Sequence, residues 1–148
     1  MQKTMFAILI ALAGLTIPTI TQANTRGNLR IVVDGIRQQQ GQVCVSLFAG
    51  SQGFPDRGDR AVRAQCVPVG KERTAVAFQN IAVGNYAIAV YHDRNGNGKL
   101  DRNFLGIPRE GFGFSRNPVV RTRAPRFNEA SVFVAGTETT AQIQLQFF

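Results

Sequence analysis

The sequence predicts an all-β protein, an antiparallel β-sandwich of about seven strands. Apolar residues recur with a period of two along most of the chain, and turn-forming residues interrupt this pattern at short intervals. No long stretch shows the 3.6-residue period of an amphipathic helix. These observations favour strands over helices. The predicted strands span residues 29–33, 42–49, 61–69, 73–78, 85–92, 130–135 and 139–148.

The strand at 85–92 is predicted to lie in the centre of its sheet, because both of its faces are apolar. Tyr86, Ile88 and Val90 form one face, and Ala87, Ala89 and Tyr91 form the other. The next strand-like run begins only near Phe127, so residues 93–126 form a connection of more than thirty residues. Connections of that length in a compact domain are usually functional, ordered by a specific device or disordered.

The N-terminus predicts a secretory signal peptide over residues 1–23. Lys3 precedes an apolar run from Met5 to Ile17, and the stretch closes with a small residue at Ala23. A membrane anchor is the alternative, but it needs about 20 unbroken apolar residues, whereas this run is shorter and is interrupted by Gly14 and Pro18. We therefore expect an exported protein, periplasmic or extracellular, whose residues 24–148 form a single β-sandwich domain.

Export makes the two cysteines informative. Outside the cytosol an even number of cysteines favours a disulfide, so we expect Cys44 and Cys66 to be joined. Closing a loop of that length contributes about 3 kcal/mol in the chain-entropy model. Two free buried thiols are the alternative.

The connection opens with the front of a calcium-binding loop. Oxygen-bearing side chains fall at loop positions one, three, five and nine, and Gly98 occupies position six, where the chain needs a positive φ. Position twelve, which normally supplies a bidentate Glu, is Phe104. Nearby cations oppose a divalent ion, so we expect weak binding of Ca²⁺. The candidate metal ligands are Asp93, Asn95, Asn97, Lys99, Asp101 and, where it folds back, Glu110.

The rest of the connection is rich in arginine. Removing Lys3 with the signal peptide leaves sixteen basic and nine acidic residues, a net charge of about +7. Guanidinium groups pair bidentately with phosphate, sulfate and carboxylate, so this stretch is a candidate contact for an anionic envelope polymer or an envelope protein. A solvated loop that keeps a basic protein soluble is the alternative. No nucleic-acid-binding motif is present. The candidate anion contacts are Arg109, Arg116, Arg121, Arg123 and Arg126.

Two runs carry a resemblance to a known family. VGNYAIAVYHDRNGNGKLD at 83–101, followed by FLGIPREGFGFS at 104–115, resembles the bacterial exported family catalogued as domain of unknown function 2141. The resemblance implies an exported β-protein and no established reaction. The Gly-x-Tyr strand that leads into an Asp-x-Asn-x-Asn-Gly loop is also similar to prealbumin-like sandwich modules, which are transthyretin-like or carboxypeptidase regulatory-like domains.

Two classes of function remain open. The first is a non-catalytic binding or structural module of the cell envelope, in which the calcium-type loop orders the Arg/Phe-rich connection. The second is a hydrolase acting on an envelope polymer, with His92, Asp101 and Glu110 as its acid–base groups. We assign no catalytic residue, because His92 is the single histidine and no serine lies in a Gly-x-Ser-x-Gly elbow.

Overall fold

A computed structural model describes residues 25–71 and 73–148, and the predicted signal peptide lies outside them. The described residues form eight strands, one short α-helix and a single-turn 3-10 helix at Gly58–Arg60. Their bounds are β1 (Arg26–Asp34), β2 (Gln42–Phe48), β3 (Arg63–Pro68), β4 (Thr74–Ala82), β5 (Gly84–Asp93), β6 (Phe112–Phe114), α1 (Phe127–Ala130), β7 (Ser131–Val134) and β8 (Thr139–Gln144). The prediction of an all-β sandwich is confirmed. Its finer prealbumin-like classification stays a prediction.

The strands form two sheets. One has three strands in the order β4-β1-β8, and the other has the order β3-β2-β5-β6, with β7 also paired to β5. All pairs are antiparallel except β1 and β8, which are parallel. The chain reaches β8 by crossing over from the other sheet, so no hairpin forces this pair to be antiparallel.

The main core lies between the two sheets and consists of the alternate residues along the strands whose side chains face inward. Leu29, Ile31, Val45, Leu47 and Ile88 are each at most 1% exposed. Strand β5 is central as predicted, since β2 pairs with one of its edges while β6 and β7 share the other. Its carboxyl end therefore projects the following loop from the middle of the five-stranded sheet.

A second apolar cluster covers the outer face of the five-stranded sheet. Its buried members are Ala87, Phe112, Phe114 and Ala130, against which Phe54, Tyr91, Leu100, Val120 and Phe127 pack. Strand β6 lies inside the connection that was predicted to be free of strands. Gly113 lets β6 approach the other sheet closely, because a Cβ there would lie 2.8 Å from Cγ2 of Ile143.

The predicted disulfide is confirmed: Cys44 and Cys66 are bonded. The two residues are directly opposite each other on β2 and β3. The bridge therefore ties the edge strand β3, most of whose residues are exposed, to the buried strand β2.

Candidate functional site

Asp93 ends β5, and its fully buried carboxylate organises the loop that follows. Its Oδ1 accepts hydrogen bonds from the backbone N–H groups of Gly96 (2.8 Å) and Asn97 (3.1 Å). Its Oδ2 accepts hydrogen bonds from the N–H of Gly98 (2.8 Å) and from Nε2 of Gln42 (2.8 Å). Gly98 has a φ of 74°, as the sequence predicted. A carboxylate offers about four lone-pair positions, and four donors fill them.

These contacts keep Asp93 ionised. Burial raises the pKa of its carboxyl group, but the hydrogen bonds from Gln42, Gly98, Asn97 and Gly96 together outweigh burial. The pKa of Asp93 is therefore lowered from its ordinary value of 3.8. The buried negative charge is compensated by N–H dipoles of the loop itself.

Glu110 closes the same loop from its other end. Its side chain is almost completely buried, at 2% exposure. One carboxylate oxygen accepts the N–H of Arg94 (2.9 Å), and the other accepts the N–H of Asp101 (3.0 Å). Nε of Arg94 lies 3.9 Å from Glu110 Oε1. Glu110 thus folds back onto the loop, as an acceptor for its backbone.

The remaining candidate ligands form a polar cluster. Asp101 accepts hydrogen bonds from the side-chain amides of Asn95 (2.7 Å) and Asn97 (2.8 Å). The carbonyl oxygens of these two amides accept backbone N–H groups, from Asn97 (3.2 Å) and Lys99 (2.9 Å) respectively. Hence the fold brings these carboxylate and amide side chains together, and each of them already has a protein partner.

A complete calcium cage does not fit this arrangement. Calcium takes about six to eight oxygen ligands, while Asp93 has no free acceptor position and Glu110 faces two backbone donors. Within the described residues, no three His, Cys, Asp or Glu side chains are grouped to hold a metal ion. To coordinate Ca²⁺, Asp93 or the side-chain amides of Asn95 and Asn97 must give up hydrogen bonds that they make to the protein. Calcium binding stays a prediction.

A groove of about 820 Å³ lies on the outer face of the five-stranded sheet, beside this loop. Its floor is aromatic, formed by Tyr91, Phe112 and Phe114. One wall comes from residues 98–100, 102 and 105–108, and the other wall comes from residues 120–124. Tyr91 joins floor to wall, because its hydroxyl donates a hydrogen bond to the carbonyl of Gly98 (2.8 Å).

Cations border the groove. Arg102 is paired with Asp56 (3.0 Å), and Arg123 forms a bidentate pair with Glu129 (2.8 Å for both contacts). The hydrogen bond from Arg123 is the largest of the effects that lower the pKa of Glu129 to about 2. Lys99 and Arg121 have no ion-pair partner among the residues that the structure describes.

Two of the five predicted anion contacts line the groove. These are Arg121 and Arg123, whereas Arg109, Arg116 and Arg126 lie outside its lining. Arg116 instead donates a hydrogen bond to the carbonyl of Asn128 (3.3 Å). Sequence reasoning missed Lys99 and Arg102 as groove cations, because their place opposite Arg121 depends on how the connection folds back over the sheet.

The acid–base groups of the hydrolase alternative are occupied elsewhere. His92 is 1% exposed, and its Nε2 lies 2.8 Å from the carbonyl oxygen of Gln40. Glu110 is buried under the loop, and Asp101 holds two asparagine amides. None of the three residues lines the groove.

Sequence comparison gives the family. A family model described as an uncharacterized protein conserved in bacteria, DUF2141, matches residues 31–142, which is most of the chain and includes the loop and the groove floor. The chain belongs to this family. Searches of curated proteins and of solved structures found no match. The DUF2141 match agrees with the resemblance read from residues 83–115. Within the part of the chain that is described, no helix is long and apolar enough to cross a membrane.

Proposed function

We propose that this chain is an exported, non-catalytic binding module of the cell envelope, and that its groove binds an anionic polymer. Two features support export: the predicted signal peptide at residues 1–23 and the disulfide between Cys44 and Cys66. Disulfides persist in oxidising compartments such as the bacterial periplasm and the cell exterior.

The groove is the single observation that carries the proposal. It combines an aromatic floor with cations on both walls, Lys99 on one and Arg121 on the other. Phe112 and Phe114 form the base of the floor but are only 5% and 6% exposed. The apolar surface open to the body of a polymer unit comes from Tyr91, which is half-buried, and from Phe148, a lining residue that is 62% exposed and stacks on Phe112. The cations pair with the charged groups of the polymer. Since neither Lys99 nor Arg121 has an ion-pair partner among the described residues, an anionic ligand need not displace an existing pair.

Binding has more support than catalysis. A general acid or base must come within hydrogen-bond distance of the reacting group, or reach it through one water. His92 and Glu110 are buried away from the groove, and both already have backbone partners. The loop that carries Asp101 instead serves as a wall, held in place by Asp93 and Glu110.

Retention on immobilised dextran sulfate in a salt gradient tests the proposal. We expect Lys99→Gln/Arg121→Gln to elute at lower salt than the wild type, because two unpaired groove cations are lost. Arg123→Gln should have a smaller effect, since Arg123 is already paired with Glu129.

The matched control is Arg30→Gln/Arg63→Gln, which removes the same charge from two exposed positions on β1 and β3 outside the groove lining. If both double variants elute together, the groove has no special role and only the general basicity of the chain retains it. Equal elution of all variants and the wild type would refute anion binding at the groove.

A further inference from the structure

A small hairpin projects from the wall of the groove and is ordered by its own backbone. Arg102 and Pro108 form a β-bridge, and the N–H of Asn103 donates to the carbonyl of Ile107 (2.9 Å). Below them, the N–H of Arg109 donates to the carbonyl of Asp101 (2.8 Å). We refer to residues 101–109 as the hairpin.

The tip of the hairpin is held rigid. The side-chain oxygen of Asn103 accepts the N–H groups of Leu105 (2.9 Å) and Ile107 (3.0 Å). The N–H of Gly106 donates to the carbonyl of Asn103 (2.9 Å), and Gly106 has a φ of 79°, which suits glycine. None of these bonds involves the side chain of Phe104 or Leu105.

Those two side chains are nevertheless the most apolar part of the hairpin and point into solvent. Phe104 is 95% exposed and Leu105 is 68% exposed. A phenylalanine that packs against nothing contributes nothing to folding, yet the backbone holds it in a defined place. Adjacent exposed apolar side chains on a rigid tip are typical of a contact surface.

Cations stand at the base of the hairpin. Lys99 and Arg109 are exposed and have no ion-pair partner among the described residues. Each neighbouring acid already has partners: Glu110 is buried under backbone donors, Asp56 is paired with Arg102, and Asp101 accepts hydrogen bonds from the side-chain amides of Asn95 and Asn97. An apolar apex above a cationic base matches a lipid surface, where apolar side chains enter between head groups and cations meet the phosphates.

We propose that the hairpin docks on an anionic lipid surface, with Phe104 and Leu105 inserted at head-group depth and Lys99 and Arg109 paired with lipid phosphates. This goes beyond the binding proposed for the groove: Leu105 and Lys99 also line the groove, but Phe104 and Arg109 do not. A polymer of charged units has no apolar depth for Phe104 to enter. The net charge of residues 24–148, about +7, attracts the protein to the same surface.

Sedimentation with vesicles tests the proposal, using residues 24–148 and vesicles of phosphatidylcholine with or without phosphatidylglycerol. We expect the wild type to bind the mixed vesicles and to be released by salt. Phe104→Ser/Leu105→Ser should lower the partition coefficient at least about tenfold, because two buried apolar side chains are lost. Lys99→Gln and Arg109→Gln should each lower it about fivefold.

The matched control is Phe133→Ser, which removes an exposed phenylalanine (60% exposed) from β7 at the opposite end of β5. It should bind like the wild type. The chain has no tryptophan, so F104W also provides a single fluorescent reporter at the tip. Its emission should shift to shorter wavelength with mixed vesicles and stay unchanged with phosphatidylcholine alone.

Equal binding of the wild type and Phe104→Ser/Leu105→Ser, or an unshifted F104W emission, would overturn the proposal. Failure of the wild type to bind mixed vesicles would also overturn it, as would equal binding to both vesicle types. Retention of Phe104→Ser on dextran sulfate should match that of the wild type, since Phe104 does not line the groove and no cation changes. The two proposals can therefore fail separately.

Discussion

The two halves of the long connection are ordered by different means. The carboxylate loop, residues 93–110, is bonded inward to the buried side chains of Asp93 and Glu110. The arginine segment, residues 115–126, is instead held by hydrogen bonds of neutral side-chain amides, which join it to β8 and to the residues that follow β8. Asn117 donates to the carbonyl of Gln142 (3.0 Å) and accepts the N–H of Gln144 (2.8 Å). Gln146 accepts the N–H of Val120 (3.1 Å) and donates to the carbonyl of Pro118 (2.8 Å).

This difference separates the two walls of the groove. Hydrogen bonds to an ionised carboxylate are about twice as strong as neutral ones, but they depend on the protonation state of the acceptor. Hydrogen bonds between amides do not titrate. We therefore expect the wall formed by the carboxylate loop to be firmly held at neutral pH and sensitive to acid. The wall formed by the arginine segment should be held more weakly, and equally so at every pH.

Asp93→Ala should have the largest effect on stability. It removes a buried acceptor of four hydrogen bonds, three of them from exposed residues whose N–H groups can turn to water. We expect the free energy of unfolding to fall by about 3 kcal/mol. Chemical denaturation measures it. The control, Asp34→Ala, loses one hydrogen bond from the exposed Gln142 and should stay within about 0.5 kcal/mol of the wild type. Similar losses in both variants would contradict the role given to Asp93.

Acid should destabilise the folded protein by protonating Asp93. The pKa of Asp93 is lowered in the folded state, so its contribution to stability is complete above the ordinary value of 3.8 and is lost as pH falls through the lower folded-state pKa. Unfolding measured at successive pH values below 3.8 should show the wild type losing stability faster than Asp93→Ala. Parallel pH profiles for the two proteins would show that Asp93 is not the acid-sensitive group.

Sequence reasoning succeeded where local pattern decides structure. The alternation in Leu29, Ile31 and Val33 predicted β1, and the glycine at position 98 has the predicted positive φ. It missed β6, because a strand of three residues with glycine in the middle carries too short a pattern to detect. It also missed the groove. That site depends on Gln42 reaching Asp93 across 51 positions and on β6 packing beside Tyr91, which are contacts between distant parts of the chain.

Calcium tests whether the carboxylate loop can gain further order. Since coordination must replace existing hydrogen bonds of Asp93 or of the Asn95 and Asn97 amides, we expect a dissociation constant of about 10⁻⁴ M or weaker. Calcium at about a hundred times that constant should raise the free energy of unfolding by about 2.7 kcal/mol. Thermal unfolding in calcium and in chelator measures the change, with Asp93→Ala expected to show none. An unmoved midpoint in the wild type would leave the loop as a hydrogen-bonded turn without an ion.

Gln146→Ala should have the smallest effect, and it probes the arginine segment alone. The change removes two neutral hydrogen bonds, to Val120 and Pro118, and the freed backbone groups lie only partly buried. We expect the free energy of unfolding to fall by about 1 kcal/mol. Because no ionisable group is involved, the difference from the wild type should be the same at neutral and acidic pH.

The control is Gln142→Ala, which should change stability less. It removes an exposed amide and leaves the backbone carbonyl to which Asn117 donates. A loss for Gln146→Ala that grows toward low pH would mean that the two walls of the groove are coupled and share one acid-sensitive support.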